Sequence, residues 1–434
     1  MPSHSSAFSD SGKKTTPSLW RNSDFRNLWA GQTASQLGAQ SSLVILPLIA
    51  VLTLDVQASQ LGVLRAVEQA PQLLLTLFVG VWVDKWRTRT VMALSDLGRV
   101  LVLSTVAVVA LIGALELPIL LFCALAVGIL SVFFDMAYQA SLVRLLKRDQ
   151  LLQGNSAIEA SRSAAQMGGP ALGGTMMSLL SAPLAAASSA VFFAASFLSI
   201  LRIRHHESIS QQPGGSRRMW RQMRDGLHFV AGNKLLRTVC LASAAVQLSL
   251  AALMTAYLLF LPRELHLSGA VIGFALAATG PGALVGALLA ARLPSRLGYG
   301  PVLVTAAVIG NGAMLCLPAL RGNSAATVCA LITINLVFGA CGQLINVTII
   351  AVRQAVTPDF MQGRVAATIS FAGMGMSPLG AVAGGLLADH WGLRTALLIS
   401  AAGMMMSPLF MIFSPLGRLG KTLPAPDSIH NHAH

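Results

Sequence analysis

The sequence predicts an all-α membrane protein with twelve transmembrane helices arranged in two six-helix halves. Its 434 residues are 54% hydrophobic and only 11% charged, a composition far too apolar for a soluble globular protein. Twelve apolar runs are long enough to cross about 30 Å of hydrocarbon as helices, and motifs of the first half recur in the second. The predicted spans lie near 28–54, 60–83, 90–113, 118–144, 155–180, 183–201, 236–262, 269–292, 300–319, 325–352, 363–388 and 394–413.

The distribution of positive charge predicts the orientation of these spans. Lys and Arg are concentrated in the termini and the even-numbered loops, whereas the odd-numbered loops hold Arg263, Arg321 and Arg394. Cytoplasmic loops are enriched in these residues, so both termini are predicted to lie in the cytoplasm of a bacterial inner-membrane protein. Topology therefore accounts for the net charge of +14, and nucleic-acid binding is not needed to explain it. The polar first 27 residues predict no cleavable signal peptide.

The predicted domain boundaries follow the spans. The chain divides into a cytoplasmic tail, a first six-helix bundle, a cytoplasmic linker, a second six-helix bundle and a cytoplasmic tail, at residues 1–27, 28–201, 202–235, 236–413 and 414–434. In the linker, Arg217, Arg221 and Arg224 share one helical face opposite apolar residues, which predicts an amphipathic helix on the lipid surface. A site for a regulatory partner is the alternative interpretation of this segment.

A cationic turn joins the second and third spans. Gly80 precedes Asp84 by four residues, which places a small residue and an acid on one face of the helix end. Lys85, Arg87 and Arg89 follow closely and fix the turn on the cytoplasmic side. The acid is suited to bond free backbone N–H groups at the start of a neighbouring helix.

Charged side chains also lie inside the spans of the first half. A charge at the centre of a membrane helix costs about 2.5–3.5 kcal/mol on insertion scales, so such groups normally face the bundle interior and pair. Spans seven to twelve contain no acid in their interiors, so a carboxylate of the first half must carry any transported proton. We expect a proton-coupling charge network of Glu68, Asp96, Arg99, Asp135, Glu159 and Arg162.

Two interpretations of this network remain open. Asp96 with Arg99, and equally Arg65 with Glu68, lie three residues apart and could form fixed structural ion pairs. Asp135 is favoured as a proton site, as is Glu159 in span five. Because Asp135 and Arg99 both lie roughly 13 Å from the cytoplasmic ends of neighbouring spans, these antiparallel helices could pair them.

The fifth span is rich in glycine. Gly169, Gly173 and Gly174 allow another helix to approach closely, and Pro170 removes a backbone hydrogen bond and bends the segment. These properties suit a wall helix that rocks, and a plain packing face is the alternative.

The second half repeats the first. Asp149 to Gly154 before span five matches Asp359 to Gly363 before span eleven. Two such repeats can hold a substrate between them near the membrane midplane. Neutral polar groups within the spans are the candidates for lining that cavity, namely Gln40, Gln247, Asn335, Gln343 and Asn346.

The turn from Gly80 to Arg89 resembles the signature loop of the major facilitator superfamily. The glycines and proline of span five are similar to the antiporter motif of its exporting members. The resemblance covers all twelve spans and is closest to the drug and siderophore exporter branch, with its bacterial macrolide efflux pumps and enterobactin-type exporters. Two positions depart from the pattern, because Trp86 replaces a usual glycine and Ala39 stands where many relatives carry an acid.

The resemblance implies a gate and a function. In relatives the acid of the loop contacts the start of span eleven, which implies that Asp84 meets Arg364 and closes the cytoplasmic side. It also implies a monomeric exporter in the membrane lipid, which exchanges a small, partly apolar drug-like molecule or siderophore for protons by alternating access. No enzymatic activity, cofactor or metal is expected. The alternatives are a facilitator that imports a nutrient or flips a lipid, and a non-transporting membrane sensor.

Overall fold

The structure, a computed structural model, describes residues 19–146, 150–204, 216–358 and 361–422, and in these ranges the chain folds into helices joined by short connections. The first half comprises α1 (Ser23–Leu52), α2 (Ala58–Asp84), α3 (Thr88–Leu111), α4 (Leu117–Leu145), α5 (Leu151–Leu179) and α6 (Ala182–Leu201). The linker forms α7 (Ser216–Gly232). The second half comprises α8 (Lys234–Arg263), α9 (Gly269–Ala277), α10 (Thr279–Ala290), α11 (Leu293–Leu297), α12 (Tyr299–Met314), α13 (Ala325–Val356), α14 (Gln362–Trp391), α15 (Leu393–Met404) and α16 (Met406–Ile412).

Twelve long helical segments correspond to the twelve predicted spans. In the second half, α9 with α10 forms one segment and α15 with α16 forms another, while α12 continues through a short 3₁₀ turn. Ten segments of the described chain are long and apolar enough to cross a membrane. The other two, α2 and α5, contain 27 and 29 residues and carry charged side chains that belong to the candidate functional site.

The two ends of the bundle differ in the helix termini that they contain. The starts of α1 and α3 lie beside the end of α6, because Asn27 and Arg89 donate to the carbonyls of Arg202 and Leu201 at 3.4 and 2.6 Å. We call this the terminal end. The loop between α1 and α2 lies at the opposite end, together with the ends of α5, α8 and α14.

Apolar packing differs between these two ends. At the opposite end, one continuous core joins both halves, from Ile49 of α1 to Tyr257 of α8 and Leu397 of α15. Towards the terminal end each half keeps a core of its own, one around Phe134 and one around Val365. The halves are therefore packed together at the opposite end and separate at the terminal end.

Two helix pairs connect the halves. α2 packs along α14, and α5 packs along α9. Glycine permits this close approach, since a Cβ placed on Gly385 of α14 would lie only 2.9 Å from the Cα of Ser59 in α2. Backbone-to-backbone contact of this kind is typical of helix pairs in membranes.

Candidate functional site

A cavity of about 1090 Å³ runs from the middle of the bundle to the terminal end. Its inner part is bordered by Gln40 and Val127. Its outer part is bordered by Val143 near the end of α4 and by Asn155 near the start of α5. Five helices of the first half contribute to the wall. From the second half, the described wall contains residues of α14, namely Ala367, Ser370, Phe371 and Met374.

Polar contacts between the halves close the opposite end. The carboxylate of Asp389, near the end of α14, accepts hydrogen bonds from the backbone N–H groups of Ala58 and Ser59 at 3.0 and 2.8 Å. These residues begin α2, so the acid satisfies free N–H groups and interacts favourably with the helix dipole. Arg263, at the end of α8, donates to Asp55 at 2.5 Å. The cavity is thus closed at one end and approached from the other.

Removing the Asp389 carboxylate should weaken this closure. Loss of a helix cap costs about 1 kcal/mol, a roughly fivefold change in a two-state equilibrium. We expect Asp389→Ala to lengthen the distance between spin labels on Glu116→Cys and Asn323→Cys, two exposed positions of the opposite end, in a background without other cysteines. Pulsed electron resonance measures this distance.

His390→Ala, one residue further on and also exposed, is the matched control. If Asp389→Ala and His390→Ala give the same distance distribution as the unsubstituted chain, the cap does not hold the two halves together.

Asp96 and Arg99 form a buried ion pair. Asp96 is 0% exposed and Arg99 2%. Ser196 of α6 and Ser35 of α1 donate hydrogen bonds to the same carboxylate at 2.6 and 3.4 Å. The Arg99 guanidinium also lies over the rings of Phe134 and Phe193, at 4.5 and 4.3 Å from their centroids. This arrangement ties α1, α3, α4 and α6 together and agrees with the structural interpretation of the pair.

We expect Asp96→Ala to destabilise the protein strongly, because it leaves the Arg99 charge buried and uncompensated. Breaking a buried pair in this way costs about 3–5 kcal/mol in soluble proteins. Thermal unfolding in detergent measures the loss. Glu159→Ala is the control, since the Glu159 side chain is 69% exposed, and equal unfolding temperatures for the two variants would contradict the assignment.

Asp135 lies in the cavity wall on α4. Arg99 binds Asp96 on its own helix, and the direct pairing with Asp135 that equal depth allows is not found among the described residues. Asp135 nevertheless lies within electrostatic range of both Arg99 and Arg162. Among the described residues, no ion pair of 4.0 Å or less includes Asp135. It is therefore a carboxylate that borders the cavity and retains no fixed cationic partner.

The other predicted network members also border the cavity. Glu159 and Arg162 face each other at 3.9 Å with side chains 69% and 53% exposed, so their attraction is weakened by solvent. Glu68 lies in the wall contributed by α2. Within the described chain, no ion pair of 4.0 Å or less joins it to Arg65, whose Nε is buried without a hydrogen-bond partner. The structure thus contains a buried ion pair, whose Arg99 also borders the cavity, together with the charges of Glu68, Asp135, Glu159 and Arg162 in the cavity wall.

The glycines of α5 pack against two neighbouring helices, α1 and α9. Gly169 and Gly173 pack on α1, where the Ser41 hydroxyl donates to the Gly169 carbonyl at 3.2 Å. Gly174 packs on α9 of the other half, where an added Cβ would lie 2.6 Å from the Cα of Gly273. The Pro170 carbonyl borders the same glycine of α9. The predicted motif therefore lies where the halves meet.

The predicted gating motif lies at the end of α2 and in the turn that follows it. For Gly80 and Asp84 only the backbone is described, so the contact of Asp84 with Arg364 stays a prediction. Lys85 and Arg87 are exposed in the turn after α2.

Arg364, at the start of α14, contacts the linker helix. Its guanidinium lies 3.3 Å from the carboxylate of Asp225 in α7. Gly226 of the same helix packs closely on Thr368 of α14. The linker helix is thus attached to the helix that forms the second-half wall of the cavity.

The predicted cavity-lining amides of the second half are not found in the described wall. Gln40 lines the cavity, but Gln247, Gln343 and Asn346 do not. Asn335 is buried and donates to the Tyr257 hydroxyl at 2.9 Å, so it joins two helices instead. Hydropathy identifies the helices but not the face that each turns to the cavity, which explains the error.

The polar wall comes from amides of the first half that were not predicted. They are Gln32, Gln36, Gln69, Gln72 and Gln139. A four-residue repeat of glutamine along α1 is the feature of the sequence that indicates them, because residues four apart share a helical face. Asp389 was also not predicted, since it lies one residue beyond the expected end of span eleven.

Comparison with known proteins gives one family match. A family model described as transmembrane secretion effector matches residues 15–432. The uncharacterized MFS-type transporter YfiS of Bacillus subtilis is 26% identical over 382 residues, covering 86% of this chain and 88% of the relative. The multidrug efflux pump Tap of Mycobacterium tuberculosis is 27% identical over 382 residues, covering 81% and 84%.

Solved structures show the same fold. A nucleoside transporter NupG mutant superposes with a TM-score of 0.73 at 14% identity, covering 90% of this chain and 99% of that one. A bacterial homologue of the iron transporter ferroportin, in an inward-facing state, gives 0.73 at 16% identity, covering 91% and 99%. At these identities the likeness shows the fold alone.

Proposed function

The chain belongs to the transmembrane secretion effector family of major facilitator transporters, and from that premise we propose that it exports a small organic molecule in exchange for protons. Like its relatives, it is a multi-pass membrane transporter and not an enzyme. The substrate is either a drug-like compound or a siderophore. Transport takes place in the lipid of the bacterial inner membrane, through one copy of the chain.

The cavity carries this proposal. It is open towards the terminal end and closed at the opposite end by Asp389, Arg263 and a shared apolar core. Alternating access requires a second state in which this closure opens and the terminal end closes. The two contacting helix pairs, α2 with α14 and α5 with α9, are the surfaces on which the halves would rock.

The orientation follows from the charge distribution of the sequence. Basic residues are concentrated at the terminal end, which supports a cytoplasmic location of that end. The state described here then takes up its substrate from the cytoplasm, and the alternate state releases it outside. The sequence similarity to a multidrug efflux pump supports the same direction.

Proton coupling is assigned to Asp135. A carboxylate in the wall of a membrane cavity is expensive to bury as a charge and marks an ion pathway. Protonation would remove its attraction to Arg99 and Arg162 and so bias one conformation over the other. For an uncharged substrate, a proton that enters gains about 2.3 kcal/mol per 100 mV, which supports a roughly fiftyfold substrate gradient. A monovalent cation exchanged for one proton moves no net charge and is driven by the pH gradient instead.

Inverted membrane vesicles provide the test. Respiration acidifies their interior, and a pH-sensitive dye reports the gradient. We expect at least one compound from a panel of antibiotics and siderophores to discharge the gradient in vesicles that contain this protein, and not in vesicles from cells with the empty vector. Substrate uptake into the vesicles that continues unchanged after a protonophore collapses the gradient would refute proton antiport.

A further inference from the structure

Glutamine side chains dominate the neutral polar part of the cavity wall. Three of them repeat every four residues along α1 and form a stripe, two lie three residues apart on α2, and one lies on α4. Each amide both donates and accepts hydrogen bonds. By contrast, Tyr138 and Phe371 are the aromatic residues of the described wall. The glutamines are Gln32, Gln36, Gln40, Gln69, Gln72 and Gln139.

Two buried polar atoms of the cavity wall, one of them in this stripe, have no hydrogen-bond partner within the described chain. Gln32 and Ser42 are each only 2% exposed and border the cavity. The Gln32 Oε1 and the Ser42 Oγ nevertheless make no hydrogen bond in the described chain. Because buried polar atoms are normally bonded, a turn of either side chain towards the cavity would let a hydroxyl or N–H group of a bound solute complete the bonding of its oxygen.

The charges around the cavity favour a cation. The first-half cluster contains four carboxylates and three guanidinium groups, namely Glu68, Asp96, Asp135 and Glu159 with Arg65, Arg99 and Arg162. Asp96 is neutralised by its buried partner, and Glu159 faces Arg162. Glu68 and Arg65 make no ion pair of 4.0 Å or less in the described chain, but their charges offset each other on α2. Asp135, which is also without an ion pair in the described chain, is the remaining carboxylate. A protonated amine would be attracted to this carboxylate, whereas an anion would be repelled.

We propose that the cavity binds a hydrophilic organic cation, a solute with several hydroxyl, amide or amine groups and a protonated amine, through the α1 glutamine stripe and the carboxylate of Asp135. This inference rests on the proposed export function and specifies its substrate class. The cavity volume of about 1090 Å³ is ample for a solute of several hundred Å³. A flat aromatic cation prefers aromatic faces, and an anionic siderophore would meet an excess of carboxylates, so both are disfavoured.

Equilibrium binding to the purified full-length protein in detergent tests the substrate class directly. The probes are kanamycin as a hydrophilic amine, ethidium as an aromatic cation and 2,3-dihydroxybenzoate as an anionic catechol. We expect kanamycin to bind most tightly. Loss of two amides in Gln36→Leu with Gln72→Leu should weaken kanamycin binding at least tenfold, whereas Gln153→Leu, an exposed glutamine of α5 outside the described wall, should not.

Each outcome decides the inference. Tighter binding of ethidium or 2,3-dihydroxybenzoate, no binding of any probe, or unchanged kanamycin binding by the double variant would overturn it. If the double variant does not fold, Gln36→Asn and Gln72→Asn keep an amide but shorten it, and binding should still weaken. Kanamycin binding together with no gradient discharge by any compound of the panel would refute the export function alone. Discharge by ethidium alone would leave export standing and refute the substrate class.

Discussion

Asp135→Asn is expected to abolish proton-coupled export while the protein remains folded. Asparagine is close to aspartate in shape but cannot exchange a proton, so the cavity loses the carboxylate to which we assign proton coupling. Substrate-induced discharge of the pH gradient in inverted vesicles should fall to the level of vesicles without the protein. The buried Asp96–Arg99 pair is untouched, so the unfolding temperature in detergent should change little.

Glu159→Gln is the matched control for this experiment. Glu159 also borders the cavity, but its side chain is 69% exposed and faces Arg162 at 3.9 Å. Exposed pairs of this kind contribute little, so we expect at least half of the gradient discharge to remain. Full activity of Asp135→Asn, or equal loss in both variants, would show that coupling does not depend on Asp135.

Gly174→Leu is expected to reduce export at least tenfold by preventing closure of the opposite end. A Cβ at this position would lie 2.6 Å from the Cα of Gly273, and backbone cannot move aside as a flexible side chain can. Overpacking of this kind costs about 1–3 kcal/mol, which would favour the state in which α5 and α9 are apart. Export in vesicles and the distance between labels on Glu116→Cys and Asn323→Cys measure the two consequences.

Gly168→Leu separates this effect from a general intolerance of α5 to larger residues. An added Cβ at Gly168 meets no other atom within 4 Å. We expect this variant to keep both export and the closed distance of the opposite end. Equal loss in the two glycine variants would mean that the close approach of α5 and α9 is not what transport requires.

The relation between α2 and α14 suggests how the two ends alternate. They are antiparallel neighbours, so the start of each lies near the end of the other. At the opposite end Asp389 of α14 bonds the first N–H groups of α2. At the terminal end, Asp84 of α2 is predicted to approach the start of α14. In the proposed cycle the two acids bond the partner helix in turn, one in each state.

The sequence predicts the helices well because their cause is local. Each span needs about 20 apolar residues, and glycines of α5 mark close approach by their lack of a side chain. The i, i+3 spacing of Asp96 and Arg99 likewise predicts that they pair, because both lie on one face of the same helix. These features depend on neighbours along the chain, which the sequence displays.

Features that depend on helix rotation and on contacts between distant segments could not be predicted in the same way. Equal depth made Asp135 and Arg99 plausible partners, yet depth says nothing about which face of a helix each residue occupies. Asn335 was expected in the cavity and instead bonds Tyr257. The bond of Asp389 to Ala58 joins residues 331 apart, and no local pattern specifies such a pair.

Closure of the opposite end is expected to depend on protonation of Asp135, and one distance tests this dependence. The labels on Glu116→Cys and Asn323→Cys report closure of the opposite end in purified protein at acidic and alkaline pH. We expect the short distance, in which the opposite end is closed, to gain population at acidic pH. Protonated Asp135 favours this state, because the proton is carried inward in the step that leads to it. In Asp135→Asn the short distance should dominate at both pH values. A distance distribution that shifts with pH as much in Asp135→Asn as in the unsubstituted chain would contradict the account.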